Sequence, residues 1–323
     1  MPLSEFNLID LFFRGLAPGR ADVALGVGDD CALLQVPERR QLAVTIDTLV
    51  EGVHFEADAD PVSVGHKSLA VNLSDLAAMG AEPAWVTLAL TLPRPDEAWL
   101  AGFAQGFGAL AADHGVALVG GDTTRGPLSI TVQAHGFVEP GRALRRSGAR
   151  PGDLVYVTGT LGDAGLALLV RQGFYTAPEH LSFLHQRLDR PVPRVEAGRM
   201  LQGLASAGID LSDGLSSDLG HVLAASGCGA TLHLSELPLS AAVREYVDDT
   251  GDWSPSLSAG DDYELCVTVP ADRQGEAEAL ATEFDCGLTW IGIVEKTPGL
   301  RCVMPDGTIA DATGGYDHFA GSQ

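Results

Sequence analysis

Strand-like and helix-like segments alternate along this chain. One interruption rich in glycine, proline and arginine, "EPGRALRRSGARPGD" at residues 139–153, divides them into two series. Before it, "QLAVTI", "WVTLALTL", "VALVGG" and "SITVQAHGFV" read as strands. "PVSVGHKSLAVNLSDLAAMG" reads as a helix with Asp60 as N-cap, Pro61 at the first helical position and its end at Gly80. A second helix is predicted from Pro95 to His114, closed by Gly115. After the interruption come the strand "LVYVTG", the turn "GTLGDAG", helices around 194–206 and 214–226, and the strands "ELCVTVP" and "LTWIGIVE". This order predicts an α/β (α+β) chain of two domains, 1–138 and 139–323.

The N-terminal "MPLSEFNLIDLFF" reads as a short amphipathic helix capped by Ser4 rather than a signal peptide. No apolar run is long enough to span a bilayer, so the expectation is a cytoplasmic protein without a membrane partner. A net charge of −23, from 43 acidic and 20 basic residues, argues against nucleic acid or an anionic surface as partner. It leaves room for an anionic small molecule bridged by cations. The five cysteines, Cys31, Cys228, Cys266, Cys286 and Cys302, form no CxxC pair and read as reduced thiols, mostly in the core, with no catalytic role.

The usual phosphate cradles are missing. "GDTTRGP" has proline where a P-loop needs lysine, and "GVGDDC" starts like a dinucleotide fingerprint but ends in Cys31. Aspartates recur instead at the ends of apolar segments: Asp29 and Asp30 in "LGVGDDCALL", Asp47 after "LAVTI", Asp122 after "VALVGG", and Asp210 and Asp213 in "GIDLSDG". Any one of these is an ordinary turn or N-cap residue. Several such places together point to strand ends that bind a ligand. The flanking leucines and valine of Asp29 and Asp30 place that pair at the edge of a core, where like charges need a compensating cation or a shifted pKa.

Asp75 falls mid-helix. Ser68, Asn72 and Asp75 lie at i, i+4 and i+7, a polar stripe on an otherwise apolar helix. Such a stripe faces either solvent or a ligand, and its small groups favour the ligand. Carboxylates without His or Cys suit hard cations such as Mg2+ paired with substrate phosphates. Phosphoryl transfer needs that combination. Arg145 and Arg146 are either phosphate contacts or a solvated pair near a linker, and His54 in "EGVHF" neighbours the acidic cluster.

At this point the chain resembles the thiamine-monophosphate kinase family. The matching stretches are "LGVGDDCALL", "TIDTLVEGVHF", "VNLSDLAAMGAEPAW", "GGDTTRGPL", "RALRRSGARPGD", "IDLSDGLSSDLGH", "DDYEL" and "GGYDHF", in the family's order over essentially the whole chain. The resemblance implies an aminoimidazole ribonucleotide synthetase-like fold. Its N-terminal domain would pair in a homodimer to build a β-barrel, with an α/β C-terminal domain outside it. It implies ATP-dependent phosphorylation of thiamine phosphate to thiamine diphosphate, by direct in-line transfer with several Mg2+ ions and no covalent nucleophile. Asp30, Thr45, Asp47, Asp75, Asp122, Asp210 and Asp213 match metal-binding positions. Gly121, Asp122, Arg146 and Ser212 match ATP contacts, and His54 and Tyr316 match substrate contacts. Where the family commonly carries a substrate-contacting glutamate, this chain has Asp261, one methylene shorter.

Two other readings compete. One is another ATP-dependent enzyme of the superfamily, such as an aminoimidazole ribonucleotide or selenophosphate synthetase. Against the latter, no cysteine precedes Cys31, and no glycine-rich arm surrounds it. The other is a non-enzymatic divalent-ion binder, for which no EF-hand loop is evident.

Overall fold

The helix expected after Asp60 runs Pro61–Ala78 in the computed structural model, which describes residues 5–16, 19–311 and 314–316. The Asp60 carboxylate accepts from the Val62 and Ser63 N–H groups at 3.2 and 3.3 Å, and Gly80 leaves the helix at φ 66°. The second expected helix is slightly shorter, Glu97–Asp113, because Asp96 rather than Pro95 caps it, accepting from Ala98 and Trp99. The Ser4 cap lies outside the described residues. Beyond it the chain makes one α-turn, Glu5–Leu8, and then a π-helical stretch, Ile9–Phe13.

The chain divides into two units, Met1–Leu76 with Ala81–Gly141, and Ala77–Gly80 with Arg142–Gln323. In the first, β1 (Val23–Leu25) pairs with β2 (Leu33–Leu34). A four-stranded sheet combines β3 (Gln41–Val50), β4 (Glu82–Leu92), β5 (Ala117–Arg125) and β6 (Ser129–Val138) in the order β3-β6-β4-β5. Only β4 and β5 run parallel, joined by the helix Glu97–Asp113 as a crossover. Trp85 anchors a core with Ala84, Ala117, Val119 and Phe137, its ring edge-on to Phe137 at 5.0 Å. The indole N–H donates to Asp22 at 3.0 Å. The two long helices touch backbone to backbone: a Cβ on Gly65 would lie 2.1 Å from the Phe103 carbonyl oxygen.

The second unit holds a seven-stranded sheet of β7 (Leu154–Thr158), β8 (Ala207–Asp210), β9 (Gly229–His233), β10 (Leu265–Val269), β11 (Leu288–Glu295), β12 (Gly299–Val303) and β13 (Ile309–Asp311). Their order is β13-β12-β9-β11-β7-β10-β8, antiparallel except for β12 against β9. The helix expected over 194–206 ends early, as Val195–Leu201, because Gly203 turns the chain at φ 76° into β8. The helix Leu215–Ser226 matches its expected span and packs its leucines on β8 and β9.

Candidate functional site

In the first unit, β5 passes so close to β4 that position 121 admits only glycine. Its φ is 154°, and a Cβ there would sit 1.9 Å from the Leu88 carbonyl oxygen. Asp122 follows at the wall of a cavity of about 610 Å³, also lined by Asp29, Asp30, Arg14 and Asp10. The cavity thus gathers Asp30, Gly121 and Asp122, which lie far apart in sequence. Asp29 and Asp30 correct one expectation. Both are exposed to water rather than set in a core edge, and Asp29 accepts from the Asp30 N–H at 2.9 Å.

Thr45 and Asp47 project from the same face of β3, two residues apart. The helix Pro61–Ala78 brings Asp75 to them, and the Thr45 hydroxyl donates to the Asp75 carboxylate. Burial first, and then the negative charge of Asp75, push the Asp47 carboxyl up to about 7. Two carboxylates and a hydroxyl form an all-oxygen donor set that suits a hard divalent ion. Among the described residues no three carboxylate, His or Cys side chains come together tightly enough to hold an ion alone. Above Asp75, the Ser68 hydroxyl bonds the Gly65 carbonyl and the Asn72 amide donates to that of Ser68, so the upper stripe is interior. His54 closes the turn after β3, its Nδ1 accepting from the Val50 N–H at 3.0 Å.

In the second unit, β8 ends at Asp210, and the loop Leu211–Gly214 interlocks with the segment entering β10. Ser212 O accepts from the Asp261 N–H at 2.9 Å, and Asp213 O accepts from the Tyr316 N–H at 3.0 Å. Asp210, Ser212, Asp213, Asp261 and Tyr316 therefore converge on one loop cluster. Asp218, from the first turn of the helix Leu215–Ser226, accepts from the Asp213 N–H at 3.0 Å. Burial above all pushes Asp218 up to about 7, and the positive charge of Arg146 acts against that rise. Arg146 is exposed, and its charge reaches this cluster.

Two aspartates sit differently from the sequence expectation. Asp47 lies inside β3 and Asp122 inside β5, not at strand ends. β3 pairs with β6 over all ten of its residues, so the ladder runs through the polar position. Sequence reasoning also passed over Asp218, Asp262 and Glu264. Asp218 has a faint local signal, an acid in the first turn of a helix. Asp262 and Glu264 have none, since two acids in "DDYEL" look solvent-facing until the sheet buries them.

Sequence profiles for AIR synthase related proteins match this chain twice, the N-terminal domain at residues 28–138 and the C-terminal domain at 150–304. It is 50% identical over 323 residues to the thiamine-monophosphate kinase of Salmonella typhimurium, covering 99% of each chain. The crystal structure of thiamine-monophosphate kinase from Stenotrophomonas maltophilia superposes with a TM-score of 0.87 at 48% identity, over 97% of this chain and 99% of that one. AaThiL complexed with AMPPCP and TMP superposes with a TM-score of 0.76 at 33% identity, over 99% of both.

Proposed function

The chain belongs to the thiamine-monophosphate kinase family within the AIR synthase related proteins, and from this we infer that it transfers the γ-phosphoryl group of ATP to thiamine phosphate, forming thiamine diphosphate and ADP. It is an ATP-dependent phosphotransferase. The observation that carries this reading is the full-length match, together with a relative that holds an ATP analogue and TMP.

Residues of the N-terminal unit serve ATP and metal. Asp30 and Asp122 face one cavity, which Gly121 also lines. Asp47, Asp75 and Thr45 would hold Mg2+, as would Asp30 and Asp122 at the cavity and Asp210 and Asp213 in the second unit. Bound Mg2+ neutralises phosphate charge and aligns the transferring group. Arg146 and Ser212 contact ATP, while His54, Asp261 and Tyr316 contact thiamine phosphate. Transfer is direct. Burial raises the thiols of Cys228, Cys266, Cys286 and Cys302, the last to about 11, which makes them poor nucleophiles.

The protein works as a homodimer joined through β3. This strand is an edge of its sheet, ten residues long, and its outward row Leu42, Val44 and Ile46 is 42%, 51% and 59% exposed. A long edge strand that also exposes an apolar row of side chains is a favourable surface for a partner. The free state of all five cysteines supports a cytoplasmic setting.

The test supplies ATP and Mg2+ with thiamine phosphate, thiamine or an aminoimidazole ribonucleotide precursor as acceptor. Thiamine diphosphate should form from thiamine phosphate alone. Turnover of the aminoimidazole substrate without thiamine phosphate turnover would overturn the reading.

A further inference from the structure

The segment Asp261–Glu264, just before β10, holds a backbone that side chains avoid. Asp261 has φ 62° and Tyr263 has φ 50°, both in the left-handed region. Non-glycine residues persist there only where their surroundings over-determine them.

Three sets of contacts do so. The first is backbone: the Asp261 N–H donates to Ser212 O at 2.9 Å, Tyr263 N–H to Leu211 O at 2.8 Å, and Leu211 N–H to Glu264 O at 2.8 Å. The second is Asp262, buried, with both carboxylate oxygens 3.0 Å from the Gly162 N–H. The third is Glu264, which has no exposed surface. It accepts from the Thr158 hydroxyl at 2.7 Å, from Arg187 at 2.9 Å and from Arg194 at 2.7 and 2.6 Å. Arg187 also donates to Asp163 at 3.1 Å, tying this cluster to the helix Asp163–Arg171.

Alternate residues thus do different things. Asp262 and Glu264 are locked into the interior, while Asp261 remains partly open to solvent. Tyr263 links the two levels. Its ring is buried, and its hydroxyl donates to Asp261 Oδ1 at 3.0 Å. A hydroxyl carried on a backbone this constrained holds that oxygen, and so the rotamer of the whole carboxylate.

The geometry points to Tyr263 as a positioning residue that fixes the Asp261 carboxylate for thiamine phosphate, on a loop clamped by Asp262 and Glu264. The inference rests on the reading that Asp261 meets thiamine phosphate. A short carboxylate samples a small arc, so a donor that selects one rotamer also selects where it can meet the ligand.

A double-mutant cycle on the full chain tests this, with Tyr263→Phe, Asp261→Ala and the pair, reading kcat and KM for each substrate. Tyr263→Phe keeps the ring and the backbone. It should raise KM for thiamine phosphate about three- to ten-fold, the net range for one ordinary hydrogen bond, with KM for ATP unchanged. The pair should behave like Asp261→Ala alone. If Asp261→Ala raises KM for thiamine phosphate and Tyr263→Phe does not, the positioning role is overturned and the Asp261 reading stands. Penalties that multiply in the pair would also overturn it, since Tyr263 would then act independently of Asp261. If Asp261→Ala leaves KM for thiamine phosphate unchanged, the underlying reading fails and the inference falls with it.

Discussion

Replacing Asp47 with asparagine should make the metal-free protein more stable and the enzyme inactive. Burial and the Asp75 charge raise the Asp47 carboxyl from 3.8 to about 7. A carboxyl raised in the folded state keeps a proton that the unfolded chain has released. Across the window from about pH 4 to about pH 7 the folded state therefore binds more protons, and stability falls as pH rises. The penalty is complete above the folded pKa. At roughly 1.4 kcal/mol per unit, the shift from 3.8 to about 7 sets an upper bound of about 4 kcal/mol. Asp47 is only partly shielded, and water screens its charge, so about 1–2 kcal/mol is the expected cost. Asparagine carries no charge and escapes it. Thermal unfolding in EDTA, at pH 5 and pH 8, reads the difference. The melting temperature of Asp47→Asn relative to wild type should gain about 2–4 °C between the two pH values. Excess Mg2+ should then raise wild type at pH 8 more than the variant, because the ion compensates the Asp47 charge that asparagine lacks. A variant whose advantage does not change with pH, or which is less stable at pH 8, would refute the idea that this carboxylate is held against its own charge.

Asp75→Asn should lose most turnover while circular dichroism stays that of the wild type, because shape is kept and the ligand charge is lost; near-native turnover would make Asp75 an ordinary helix residue. Ile46→Glu puts a charge in the exposed row of β3 and should convert a dimer to a monomer in light scattering, whereas an unchanged mass places any dimer contact elsewhere. Gly121→Ala should cost more than about 2 kcal/mol in urea unfolding, since the added methyl meets the Leu88 carbonyl at 1.9 Å and the backbone φ is positive. Incubation with labelled ATP and no acceptor should leave the protein unlabelled, and a stable phosphoprotein would contradict direct transfer.

Local chemistry made part of this protein legible from its residues. The start of the first long helix and the ends of both follow from Asp60, Pro61, Gly80 and Gly115, because capping bonds are made within three or four residues of the chain. The expectation of a hard cation comes from residue type alone, since oxygen donors without His or Cys suit such ions. The resemblance of "EGVHF", "NLSDLAAMG" and "GGDTTRG" to one kinase family carried the activity.

The tertiary structure decided which aspartates are charged partners, which are solvated and which are buried. Asp29 and Asp30 look strained in the sequence and are open to water, whereas Asp218, Asp262 and Glu264 look ordinary and are interior. Thr45 meets Asp75 thirty positions away, and Thr158 meets Glu264 across 106. Strand order was equally hidden: β12 lies parallel to β9 in an otherwise antiparallel sheet. Periodicity reports which face of an element is apolar, but not which element covers that face. The field at a carboxylate is set by that second element, so its burial, its partners and its proton affinity are settled only when distant segments pack together.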